Sequence, residues 1–285
     1  VVDDCSTDES LYVLDSFEKK LPQMRVFRNR MNLGVNNSVN LAISYATGEY
    51  VVCSAADDWL KPKFTEKMKI ALAMFPDARL CISTYVEFFE EEGRTLVHSP
   101  RSERGCWYAG EGPSFISPNA LRSLLRRSFV WLPISGALIH RATLLDIGGL
   151  DPALRWHADW FATSTIGLRH GFAVIPEPLS VFRVAPNTYS TTGISNPKDQ
   201  RKICAAIYAK LRSPLFADIY RLMRQRPATL TPFIRYFVQN LASSPRDWAF
   251  LAAILSWWLN EVRKGRRPRR LREFLKVRGL LAPPN

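Results

Sequence analysis

Cysteine is scarce in this 285-residue chain and odd in number: Cys5, Cys53, Cys81, Cys106 and Cys204 are widely spaced, with no C-x-x-C pair and no histidine at ligand spacing. That excludes a disulfide framework and a zinc site, and the thiols are expected to be reduced, as in a cytoplasmic protein. Long apolar runs are lacking too. The longest, residues 248–259, falls short of the roughly 20 residues that a membrane-spanning helix needs. No G-x-G-x-x-G follows a strand pattern, so a dinucleotide-binding fold is discounted, and no internal repeat or low-complexity tract is present apart from a basic cluster near the C-terminus. Acidic residues are the last shortage: residues 201–285 hold 4 against 18 basic ones, whereas 1–200 hold 22 against 21. The net charge of +13 therefore belongs to the tail, which argues against a uniform nucleic-acid surface and assigns the tail to an anionic partner or to solubility.

What is present is an ordinary globular balance, 47% hydrophobic and 23% charged, enough for a sizeable core. From Val1 the pattern reads as the end of a buried strand, then Ser6-Thr7-Asp8-Glu9 as the cap of a helix to about Lys20. A short strand over 24–28, a helix over 36–45 stopped by Gly48 and a strand over 50–53 follow, then a helix opened by Pro62 and a strand over 79–88. Alternating strands and helices imply an α/β fold with a mostly parallel sheet and helices on both faces. Residues 93–130 read as irregular, 131–139 as a further strand, and a helix runs from the His157-Ala158-Asp159-Trp160 segment to about His170. Helical spacing returns over 200–212, 217–225 and 232–241.

Asp3, Asp4 and Asp8 gather at one strand end and Asp57 and Asp58 at another. Carboxylates converging there repel unless a cation or hydrogen-bond donors separate them. Each cluster alone is equally readable as helix caps and turn carboxylates. Together they suit a hard divalent cation, Mg²⁺ or Mn²⁺, shared with substrate phosphates. Asp159, beside the aromatic Trp160, reads either as a general base or as a cap of the helix behind it.

Over roughly residues 1–190 the chain resembles family 2 glycosyltransferases, whose nucleotide-sugar-binding fold is called GT-A (Rossmann-like). The residues from Val1 to Asp8 resemble V-V-D-D-G-S-T-D, those from Asn32 to Asn40 resemble N-x-G-x-x-x-x-x-N, and Ala55-Ala56-Asp57-Asp58-Trp59 resembles the stretch holding the metal-binding D-x-D. Ser135-Gly136-Ala137 with Arg141, then Gly148-Gly149-Leu150-Asp151 and Asp159-Trp160, follow the order of the acceptor-side GG-x-D and the catalytic base. The resemblance implies donor contacts from Asp3, Asp4, Ser6, Asp8, Asn32, Gly34, Asn40, Asp57 and Asp58, a metal on Asp57, acceptor contacts from Gly148, Gly149, Asp151 and Trp160, and Asp159 as base. Arg183 falls in a loop that can approach the donor phosphates or simply lie at the surface.

The expected protein is thus an inverting enzyme moving a sugar from a nucleoside-diphosphate donor, a UDP-sugar foremost, to a hydroxyl of a glycan or glycolipid in bacterial surface polysaccharide assembly. Residues 1–196 would form the catalytic domain, lacking a first strand and helix of about 30 residues upstream of Val1, and 197–285 a basic helical extension. Three departures keep open a noncatalytic nucleotide-sugar-binding or membrane-binding module: Ala55 for the first Asp of D-x-D, Val39 where relatives carry Arg, and Cys5 for Gly. Residues 246–285 read as a helix on an anionic membrane surface, placing the protein on the inner face, or equally as a core helix with a solvated tail. Nucleic acid is disfavoured because aromatic and basic residues are separated rather than interleaved.

Overall fold

The computed structural model describes residues 1–98, 111–126, 129–186, 188–225, 229–230, 233, 236–237, 241–242 and 245–263. Cys106, Asn187, most of the helix expected over 232–241 and the basic run after Arg263 lie outside them.

Two sheets carry the architecture. The first is small: β1 (Val2–Asp3) pairs in parallel with β2 (Phe27–Arg28), connected through α1 (Ser10–Glu18). After α2 (Val35–Tyr45) comes the larger sheet, made from β3 (Tyr50–Val52), β4 (Trp59–Leu60), β5 (Leu80–Phe89), β6 (Arg94–His98), β7 (Ser114–Ile116), β8 (Ala137–His140) and β9 (Phe172–Val184). Its strand order is β3-β8-β5-β9-β4, with β6 on β5 and β7 on β9. β5 and β9 run parallel and the other pairings in this sheet are antiparallel, so it is a mixed sheet rather than a mostly parallel one.

Alternation along the central strands explains the layers. Leu80 and Ile82 of β5 and Phe172 and Val174 of β9 join the main core, whereas Cys81, Ala173 and Ile175 face α3 (Phe64–Met74) through Phe64, Met68 and Ala71. Helices therefore cover both faces. The main core is centred on α6 (Ala158–His170), preceded by α4 (Pro118–Leu124), α5 (Arg141–Asp146) and a 3₁₀ turn (Pro152–His157). Local caps fix these starts: Ser117 accepts the Ala120 amide with Pro118 at the first position of α4, and the Asp151 carboxylate accepts the Ala153 amide.

After α7 (Tyr189–Ser195), the extension packs onto that same core. Ile203, Ile207 and Leu211 of α8 (Pro197–Leu211), Ile219 and Met223 of α9 (Ala217–Gln225) and Phe250 and Ile254 of α10 (Trp248–Arg263) cluster with Trp160 and Phe161. The buried Asp247 pins α10, accepting from the hydroxyls of Tyr208 and Tyr220 and from Arg212 Nη1 at 3.0 Å. Among the described residues no helix is long and apolar enough to cross a membrane. Cys5, Cys53, Cys81 and Cys204 are free thiols.

Candidate active site

Asp4 organises the first part of the site. Its Oδ1 accepts from Leu33 N and Asn29 Nδ2, both at 2.8 Å, and its Oδ2 accepts from Gly34 N at 2.8 Å. Burial raises the Asp4 carboxyl pKa, but these donors outweigh it and the net shift is downward. Asp4 is thus the brace that closes the turn ahead of α2, with Asn32 Oδ1 accepting from the same Gly34 amide at 3.1 Å. Gly34 adopts φ +83°, and a Cβ there would meet nothing within 4 Å, so the turn opens onto free space. Beside it the buried Asp3 accepts from Ser6 N at 3.2 Å and lies 3.9 Å from the Arg28 guanidinium. Asp8 accepts from Ser10 N at 3.0 Å, and hydrogen bonds from Ser10 hold its carboxyl below the usual value.

The second part is the loop after β3. Asp58 Oδ1 accepts the backbone amide of Arg183 at 3.1 Å. Burial, with a smaller contribution from the Asp57 charge, raises the Asp58 pKa against the hydrogen bonds from Arg183 and Ser135. The guanidinium of Arg183, at the end of β9, sits 3.7 Å from Asp57 Oδ2 and 2.5 Å from Glu90 Oε2. β4 pairing with β9 at Leu60–Ser180 and Trp59–Val181 makes this meeting possible.

The third part is Asp159, in the first turn of α6, whose Oδ1 accepts the Trp160 amide at 2.6 Å. Two links tie it to the Asp57–Asp58 loop. Burial pushes the Cys53 thiol up to about 12, and the Asp159 carboxylate adds to that rise. Thr163 Oγ1 donates to both Asp159 O and Leu132 O, joining α6 to the segment whose Ser135 reaches Asp58.

Other expected contacts take a different place. Asn40 spends both ends of its amide on Leu150: Nδ2 donates to Leu150 O and Oδ1 accepts from Leu150 N, each at 2.8 Å. It is a clamp between α2 and the Gly148-Gly149 turn. Gly149, at φ +66°, leaves room for that clamp, since a Cβ would fall 2.5 Å from Asn40 Oδ1. Asp151 is engaged by Ala153 N and by Lys210 Nζ of α8 at 2.6 Å, which anchors the turn to the extension. Trp160, expected on the acceptor side, is 0% exposed and packs on Phe233 at 4.8 Å between ring centroids. Its indole is core, because α6 is buried on all sides over much of its length.

Four residues were not read from the sequence as part of this region: Asn36, Glu90, Arg155 and Lys210. Asn36 Nδ2 donates to Arg155 O at 2.9 Å, and Arg155 is held at φ 45°, a conformation that non-glycine residues rarely adopt. The Asn36-Asn37 pair opening α2 was the one visible signal; Arg155 and Lys210 had none.

For a divalent cation, no group of three or more His, Cys, Asp or Glu side chains converges among the described residues. Asp57 fits a lighter role. A hard cation completed by substrate phosphates and water needs one or two protein carboxylates, and Asp57 is 39% exposed at the mouth of its loop.

Residues 1–129 match Glycosyl transferase family 2. Among known sequences, the chain is similar to an uncharacterized glycosyltransferase of Haemophilus influenzae, 29% identical over 38% of this chain and 33% of that one. It is also similar to Glycosyltransferase GlyG of Streptococcus pneumoniae, 31% identical over 33% and 31%. The chain spans about a third of the length of the curated relatives it matches. Among solved structures, TarS 1-349 of S. aureus superposes with a TM-score of 0.58 over 93% of this chain and 81% of that one, at 16% identity, a likeness of fold. The architecture is GT-A-like.

Proposed function

From the match of residues 1–129 to glycosyl transferase family 2, we propose that the protein is an inverting glycosyltransferase using a nucleoside-diphosphate sugar, UDP-sugars foremost. The acceptor is a hydroxyl of a glycan or glycolipid, and the setting is surface-polysaccharide or glycolipid synthesis at the cytoplasmic face of a membrane. The nucleoside lies against the turn of Asp3, Ser6, Asp8, Asn32 and Gly34, which Asp4 braces. Arg183 and Asp57 face the diphosphate.

Asp57 would hold a divalent cation, which would supply charge neutralisation to the departing diphosphate. Asp159 accepts the proton of the acceptor hydroxyl as its oxygen attacks the anomeric carbon from the face opposite the leaving group, which inverts the configuration in one displacement. Holding both reactants in line supplies much of the acceleration. The observation that supports this reading is the meeting of Arg183 with the loop after β3, its guanidinium 3.7 Å from Asp57 Oδ2 and its amide donating to Asp58 Oδ1 at 3.1 Å.

The experiment is nucleotide release and sugar transfer from a panel of nucleotide sugars with Mn²⁺, for the wild type, Asp159→Asn and Asp57→Ala. Loss of turnover by about two orders of magnitude or more in Asp159→Asn with retained UDP binding supports the base assignment. Near-wild-type turnover in both variants removes the mechanism. Tight UDP binding by calorimetry without turnover in the wild type instead supports a noncatalytic binding module, the reading that Ala55 and Val39 favour.

A further inference from the structure

Several helices expose apolar side chains, and two of them, α1 and α10, differ in the charge of their surroundings. On α1, Tyr12 is 78% and Phe17 48% exposed, but Asp8, Glu9, Asp15 and Glu18 lie on or beside that helix. On α10, Trp248, Leu255 and Leu259 are 59%, 47% and 46% exposed. Their spacing of seven and four residues places them along one stripe, continued by the exposed Ala252. The opposite side of the helix is anchored. Phe250 and Ile254 are buried in the core, Phe250 packs edge-on against Tyr220, and the Asp247 network fixes the first turn. The stripe is therefore presented on a rigid element, and the one acid at the head of the helix is buried against Arg212.

The sequence beyond the stripe adds the second ingredient. Arg263 ends α10, exposed, and Lys264, Arg266, Arg267, Arg269, Arg270 and Arg272 follow within nine residues. A helix that offers tryptophan and leucine on one side and leads into a dense run of cations matches the two demands of an anionic bilayer surface, which are shallow insertion of apolar groups and attraction to lipid phosphates. A second copy of this chain would bring the two basic runs together, and charge repulsion opposes that pairing.

We propose that the α10 stripe of Trp248, Leu255 and Leu259 is the surface by which this protein lies on an anionic membrane, with the basic sequence after Arg263 supplying charge attraction to it. It gives a physical basis to the membrane-side part of the functional reading, and its test does not depend on catalysis.

The test is flotation of the full chain with phosphatidylcholine vesicles and with vesicles that also contain phosphatidylglycerol. The chain is expected to float with the anionic vesicles alone and to be released as salt rises from about 0.1 M to about 1 M, where the screening length falls from about 10 Å to about 3 Å. Leu255→Glu combined with Leu259→Glu should reduce binding about tenfold or more, with unchanged circular dichroism because both side chains face solvent. Substituting Arg266, Arg267 and Arg269 by Gln should reduce it about fivefold per cation. Equal flotation with uncharged vesicles, or wild-type binding by either variant, overturns the proposal. So does a dimer of the wild type, seen by sedimentation, that the Leu255→Glu and Leu259→Glu changes dissociate, since a second copy would then own the stripe.

Discussion

Asn40 grips Leu150 by both of its backbone groups, at 2.8 Å each, across 110 positions of sequence. The grip is what joins α2, whose first turn follows the Asp4-braced loop, to the segment that leads into Asp159. Neighbouring Asn36 repeats the device one helical turn earlier on the carbonyl of Arg155. The distance between the nucleotide side and the base side of the proposed site is thus set by two asparagines on one helix face.

Asn40→Ala removes two hydrogen bonds and should destabilise the protein by about 2 kcal/mol, measured by urea unfolding. Gly149→Ala should cost at least as much, since its methyl group would land 2.5 Å from Asn40 Oδ1 in a left-handed backbone. Because both changes break the same contact, the double variant should fall short of the sum by about 1 kcal/mol. Full additivity would mean that the clamp is not the link between these positions.

Cys5 sits at φ 63°, where a Cβ is strained, and its thiol makes a long contact to Arg30 O at 3.9 Å. Replacing it with glycine relieves that strain but adds freedom to the unfolded chain. The expected net effect of Cys5→Gly is a gain of about 0.5–1 kcal/mol in urea unfolding. A loss of stability would show that the thiol contributes more to the turn than its geometry implies.

Asp58 carries a charge that burial disfavours, so its folded pKa is raised. A carboxyl group of this kind favours the folded state in its protonated form. Its contribution to stability falls as pH rises from the unfolded value of 3.8 through the higher folded one. Asp58→Asn keeps an acceptor for Arg183 N and removes the buried charge, and it should raise the melting temperature at pH 7 by about 2 °C. If Asp58 supports the diphosphate side of the site, the same variant loses transfer activity as it gains stability, the trade expected where a strained charge serves function.

How much of this was legible beforehand depended on whether the signal was local. The turn at Asp3–Ser6, the start of α2 after Gly34 and the Gly148-Gly149 pair announce themselves because caps and left-handed turns are written in adjacent residues. β9 does not, since Pro176 and Pro178 interrupt its apolar pattern; the sheet accommodates them at a register shift, where Ser83 pairs with Ile175 but Thr84 with Pro178. Trp160 was assigned to the acceptor side because it follows Asp159, yet a helix buried on all sides shows no apolar stripe to mark its inner face. The partners of Asn40, Asp151 and Asp58 lie 110, 59 and 125 positions away, and no local pattern encodes such distances.

His157 joins the site's last approach to the extension, and it should set how the protein responds to acid. It is 4% exposed, its Nε2 lies 2.9 Å from Gln200 Oε1 of α8, and Phe233 packs edge-on at 4.5 Å between ring centroids. Burial pushes its pKa down to about 4, with the Gln200 hydrogen bond opposing weakly. Between pH 6.5 and 4 the unfolded chain binds a proton that the folded chain refuses, so stability falls as pH drops through this window. The loss should reach about 2 kcal/mol at pH 5 and about 3 kcal/mol near pH 4. Below that the folded imidazole protonates as well and the slope flattens. Asp4 and Asp8, whose pKa values are lowered, act in a separate window beneath their ordinary value of 3.8. His157→Gln, which can still donate to Gln200, should lower stability modestly at pH 7 and remove most of the difference between urea midpoints at pH 7 and pH 5. An acid response that survives unchanged in this variant would move the titrating group to His170, whose imidazole burial also pushes down.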